Sequence, residues 1–82
     1  MKKYYAWTEA YDGFGTGLPF SSLCAAQSEA LRWVTHSPKP VRAFVTCDGE
    51  ILGGYFADAQ SEEDWRDEPE DIRKFGEMLA GK

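Results

Sequence analysis

Cys24, His36 and a run of carboxylates between Asp58 and Asp71 are the side chains best equipped for chemistry. Cys24 falls near the predicted start of a helix, where the positive end of the backbone dipole lowers a thiol pKa and favours a nucleophile. Its only base would be His36, near the other end of the same predicted helix. Twelve residues of helix span about 18 Å, so the two cannot touch while that helix is intact. Cys24 and Cys47 lack CxxC spacing, and with a single histidine they do not make a zinc set, so no metal and no cofactor is expected. Carboxylates from Glu62 to Asp71 could act as acid and base, but the D-x-D-x-D-G pattern of a calcium loop is missing. Asp12-Gly13 and Asp48-Gly49 read as turn residues. Gly13-Phe14-Gly15-Thr16-Gly17 lies between a predicted strand and a helix, as a phosphate cradle would. It has no P-loop lysine, Leu18 stands where the dinucleotide fingerprint has its third glycine, and Pro19 intervenes before the helix. The segment reads as a connector, with a ligand-binding loop flanked by Phe14 and Phe20 as the alternative. No catalytic set emerges, and the chain is expected not to be an enzyme.

Charge is the stronger signal. Residues 1–45 carry five basic and three acidic side chains, whereas residues 46–82 carry four and eleven. Asp58, Glu62, Glu63, Asp64, Asp67, Glu68, Glu70 and Asp71 crowd one segment, opposed only by Arg66. Such density repels nucleic acid and anionic membranes and attracts basic surfaces. The candidate partner-binding residues are therefore Glu62, Glu63, Asp64, Trp65, Asp67, Glu68, Glu70 and Asp71. On an unbroken helix, residues four apart are displaced by about 6 Å along the axis. That is close to the phosphate spacing reasoned from the ~3.4 Å rise per nucleotide. Asp64, Glu68 and Asp71, or Glu63, Asp67 and Glu70, would then form rows, which Pro69 is expected to bend. The plainer reading is a solvated face that complements a helix dipole. Aromatic residues supply the other half of an interface argument, because binding energy concentrates in a few Trp, Tyr and Arg anchors. Trp7, Trp33 and Trp65, with Tyr4, Tyr5, Tyr11 and Tyr55, exceed the needs of a thin core. Trp33 lies off the apolar line of its helix; it is core if packed on Phe14 or Phe20 and an anchor if exposed.

The elements that must hold these residues follow from pattern. Lys3 to Tyr11, rich in Tyr, Trp and Thr, reads as a strand with Tyr5, Trp7 and Tyr11 on the favoured core side. Asp12 to Pro19 reads as a loop. Ser21-Ser22 supply cap hydroxyls for a helix over about Ser22 to Thr35, with Leu23, Ala26, Ala30, Leu31 and Val34 as its apolar stripe. Pro38 and Pro40 end it. Val41 to Cys47 and Glu50 to Ala57 read as a hairpin closed by Asp48-Gly49 in a type I′ turn. That register opposes Val45 to Leu52, Val41 to Phe56, Arg42 to Tyr55 and Thr46 to Ile51. Val41, Ala43, Val45, Leu52 and Phe56 would face a helix. Arg42, Phe44, Thr46, Ile51 and Tyr55 would form an exposed patch if no second helix covers them. Gly53-Gly54 marks a bulge or a close backbone approach. Ser61 opens a short turn to Arg66, with acids favourable at its start. A main helix follows from about Glu68 to Ala80, with Ile72, Phe75 and Leu79 in its stripe, Trp65 extending it, and Gly81 as its end.

The expectation is one α+β domain over residues 1–82, ordered β-α-β-β-α: a three-stranded, largely antiparallel sheet with one or two packed helices. The second helix covers the same face as the first or hangs at an edge. The chain has 82 residues, 43% of them hydrophobic and 15% aromatic, and a net charge of −5, which excludes a disordered chain. A chain this short buries only about 60% of its unfolded surface, so the core must be thin. No apolar run reaches the ~18 residues of a membrane span, and the N-terminus turns polar too early for a signal peptide. A cytoplasmic chain with reduced cysteines is expected.

In size, element order and crowding of acids into Asp58–Asp71, with no catalytic set, the chain resembles the small acidic phage-encoded anti-CRISPR inhibitors. The resemblance rests on no motif and carries no functional residue across. It implies an inhibitor that blocks the basic groove of a nucleic-acid-binding protein and does not itself touch nucleic acid or membrane. The five basic residues of the first half make the chain a less uniform nucleic-acid mimic than an all-acidic protein.

Overall fold

Alternating aromatic and small residues, one serine-capped helix, one helix begun by a proline and one Asp-Gly turn set the architecture, seen in a computed structural model that describes residues 2–9 and 18–80, with side chains through residue 78. The glycine loop 13–17, with Phe14, Tyr11 and Gly81, lies outside the described residues, as does the side chain of Leu79. Four strands, β1 (Tyr4–Thr8), β2 (Leu18–Phe20), β3 (Ala43–Cys47) and β4 (Glu50–Tyr55), join two helices, α1 (Leu23–His36) and α2 (Pro69–Ala80). The strands form one sheet in the order β2-β1-β3-β4, antiparallel throughout. The fold is α+β, with one strand more than the expected three. The extra strand contains Pro19, paired with Tyr5. Proline cannot donate to a ladder, but on an edge strand its missing N–H costs nothing, so a segment read as loop takes strand form.

Helix α1 starts where the serines place it. Ser22 is the cap, and its Oγ accepts from the Ala25 N–H at 3.2 Å. Ala26, Ala30, Trp33 and Val34 bury against Ala6, Ala43, Val45 and Tyr55. The helix contributes alanines at the closest approach, so the sheet and helix pack tightly through Ala6, Ala26, Ala30 and Ala43, none more than 1% exposed. Trp33 is core at 8% exposure, which removes it as an interface anchor.

The second helix corrects the expected layering. It lies on the sheet face opposite α1. Phe75 and Met78 of α2 pack on Phe44, with Trp7, Ile51 and Phe56 around them. The rings of Phe44, Phe56 and Phe75 stack in series, and Trp7 stacks on Phe44. The sheet is thus packed on both faces, and the patch expected to be exposed around Phe44 and Ile51 lies partly under α2. On β1 the small residues Ala6 and Thr8 are the buried ones, while Trp7, on the side favoured for its large rings, serves the α2 layer half-buried.

A β-bulge explains the exchange of faces. The hairpin closes as expected, with Asp48 and Gly49 at φ 54° and 82°, Cys47 opposite Glu50 and Thr46 opposite Ile51. Leu52 is then the extra residue, so Val45 meets Gly53, Phe44 meets Gly54 and Ala43 meets Tyr55. One inserted residue moves every later side chain to the other face. Tyr55 joins the α1 core and Phe56 the α2 layer, the reverse of the regular register.

Candidate functional site

The acidic segment is built from three backbone forms rather than one helix. Glu62–Asp64 is a single 3-10 turn, Trp65 and Arg66 run as a strap along β4, and α2 begins at Pro69. The Arg66 N–H donates to the Gly54 carbonyl at 2.8 Å, and the Gly54 N–H returns a bond to the Arg66 carbonyl at 2.9 Å. Gly53 leaves room for this strap, and Gly54 lets β3 approach β4 closely. A Cβ on Gly53 would lie 2.6 Å from the Trp65 ring, and one on Gly54 would lie 2.3 Å from the Ala43 carbonyl oxygen. Pro69 sits at the first helical position, where its fixed φ helps and no donor is missed. Consequently the two rows of evenly pitched carboxylates, Asp64-Glu68-Asp71 and Glu63-Asp67-Glu70, do not form along a single axis.

The eight candidate residues divide by environment. Glu62, Glu63, Asp67, Glu68 and Glu70 are exposed, and Asp71 is half-buried in the first turn of α2. Asp64 belongs to the scaffold: its carboxylate accepts from the backbone N–H groups of Gln60 at 2.7 Å and Ser61 at 3.2 Å. Those two bonds, Gln60 first, hold its pKa below the usual carboxylate value. Trp65 also belongs to the scaffold. Its ring meets Tyr55 edge-on at 5.3 Å on the α1 side, so it does not extend the stripe of α2, which lies across the sheet.

The basic side chains that could have quenched the segment are engaged elsewhere. Arg32 pairs with Glu29, Arg42 with Glu9 at 3.0 Å, and Arg73 with Glu77 at 3.3 Å. The Lys74 ammonium lies 5.8 Å from the centre of the Phe56 ring. Among the described residues, no ion pair draws on residues 58–71. Arg66 acts on Asp64 only as a nearby charge, the weakest influence on that carboxyl.

Cys24 and His36 stand at the two ends of an unbroken α1, so they form no nucleophile–base pair. Both cysteines are unbridged, Cys24 exposed and Cys47 buried. No group of three or more His, Cys, Asp or Glu side chains that could hold a metal gathers among the described residues. No helix among them is long and apolar enough to cross a membrane.

One feature escapes a linear reading. Cys24, Gln27 and Ser28, spaced one turn apart on α1, wall a crevice of about 90 Å³ with Tyr55 and Glu62. The polar i, i+3, i+4 spacing was visible on the helix, but the opposing wall depends on the bulge that turns Tyr55 to this face. Burial first, then the charges of Glu62, Asp64 and Cys24, raises the pKa of the Tyr55 hydroxyl. No protein-family model, curated protein or solved structure matches the chain.

Proposed function

We propose that this chain is a non-enzymatic binding domain that docks its acidic ridge onto a basic nucleic-acid-binding protein and inhibits it, in the manner of an anti-CRISPR protein. The observation that carries the reading is the group of exposed carboxylates, Glu62, Glu63, Asp67, Glu68 and Glu70, with no ion pair among the described residues. Carboxylates left in water keep their full charge for a partner, steer encounter, and displace counterions from a Lys/Arg groove. Asp64 and Trp65 hold the strap beneath the ridge and support docking only indirectly. The broken backbone means that charge density, rather than an even phosphate-like pitch, does the mimicry. Cytoplasmic residence belongs to the same proposal.

The test is capture of partners from a bacterial lysate by the wild-type chain and by E63K/D67K/E70K, at low and moderate salt, with duplex DNA or RNA added as competitor. The expected result is a basic nucleic-acid-binding protein that is held at low salt, released by nucleic acid and by salt, and lost in the triple variant. Capture of the same proteins by both chains would sink the reading.

A further inference from the structure

The geometry points to the crevice between α1 and β4 as a seat for one guanidinium group, an arginine side chain of the partner; this deepens the docking reading above and rests on it. The lining can accept on several sides: through the Glu62 carboxylate, and through the Ser28 and Tyr55 hydroxyls and the Gln27 amide, which can also donate. Tyr55 is 1% exposed, and its hydroxyl makes no hydrogen bond with the described residues while it lines the crevice. The Tyr55 hydroxyl is not a sealed polar atom: it stays open to the crevice, where its oxygen can accept from an occupant. At about 90 Å³ the crevice is far below the ~300 Å³ of a metabolite pocket, which restricts the occupant to a small head group. Glu62 sets its sign as positive. The positive end of α1 bears on Cys24, in the first turn, but fades before Gln27 and Ser28 in the second. Several acceptors around one slot suit a planar fork of N–H donors better than a compact ammonium.

Cys24 on the rim is the reporter, since Cys47 is buried. Alkylation of Cys24 by neutral iodoacetamide is followed by peptide mass spectrometry, with propylguanidinium or butylammonium present. Propylguanidinium should slow the reaction about threefold at twice its Kd, since protection scales as 1 + [L]/Kd. Butylammonium should protect less. Protection should weaken in Y55F, which keeps the ring packing, and in E62Q, yet persist in E63K/D67K/E70K, whose changes lie outside the crevice. Absence of protection, equal protection by butylammonium, or equal protection in Y55F and E62Q would each overturn the site. The ridge is judged separately by partner capture, so docking lost on ridge reversal but unchanged in Y55F and E62Q rejects the crevice alone.

Discussion

At the scale of single residues, two positions show how closely the chain is fitted to itself. Gly54 sits where Phe44 and the Ala43 carbonyl press on β4, leaving no room for a methyl group. Gly54→Ala must push β3 and β4 apart, and overpacking of this kind costs about 1–3 kcal/mol, occasionally more. Urea unfolding should show a lower midpoint; an unchanged midpoint would mean that β3 yields freely. Glu9 is the second case. Its carboxylate takes both the Arg42 side chain and the Arg42 backbone N–H, at 2.7–3.1 Å, tying the end of β1 to the entry of β3. The Arg42 side-chain bond is the main cause that lowers the Glu9 pKa below its ordinary 4.5. A carboxyl whose folded pKa is depressed stabilises the fold above its unfolded pKa and loses that contribution as pH falls through the folded value. With the Glu9 side chain 31% exposed, screening limits the pair to about 0.5–1 kcal/mol. Glu9→Gln should cost that amount at pH 7, and the gap to the wild type should close as the pH drops below the ordinary carboxylate value, as measured by denaturant melts across pH.

At the scale of elements, α2 is the covering of the second sheet face, and Phe75 is its fully buried contact. Phe75→Ala removes the ring that stacks on both Phe44 and Phe56 and should cost about 3–5 kcal/mol in urea unfolding. A near-neutral result would mean that α2 is not needed to cover this face. Both helices, their starts at Ser22 and near Pro69, and the Asp-Gly turn were legible because each depends on local chemistry: a cap, a fixed φ, a positive φ. Layering was not. The bulge at Leu52 is a single inserted residue that no periodicity announces, although the Gly53-Gly54 pair marked the place. Without it Phe56 would face α1, and Tyr55 would take its place on the far side of β4 beside Phe44 and Ile51. The edge strand at Leu18–Phe20 was hidden for a different reason: three residues with a proline become a strand only because β1 offers them an open ladder. The same logic governs the candidate site. Its composition was plain from the sequence, but the separation of scaffold residues Asp64 and Trp65 from exposed Glu63 or Asp67 required knowing that the backbone takes three forms in succession.

At the scale of the whole molecule, what a partner senses is local charge. The longest dimension is 34 Å, several times the Debye length of about 10 Å at 0.1 M salt. Basic side chains more than a Debye length from the ridge therefore contribute little to its field, whatever the net charge of −5. This separates binding from folding. Glu63, Asp67 and Glu70 are exposed and take no part in the ion pairs of the described fold, so reversal of Glu63 and Asp67 to lysine should move stability by no more than about 0.5 kcal/mol each, and reversal of Glu70, in the first turn of α2, should cost about 1 kcal/mol through the helix dipole. Asp64, only a residue from Glu63, holds the Gln60 and Ser61 N–H groups, and Asp64→Lys should lower the urea midpoint. The association rate of the wild-type chain with a captured basic partner should fall steeply from low to moderate salt, as steered encounters do. The rate of the stable triple variant should start low and barely respond. Stopped-flow mixing at several salt concentrations reads both slopes. Equal slopes in the two chains would show that the ridge is a solvated face that keeps the molecule dispersed, and that any docking energy comes from elsewhere on the surface.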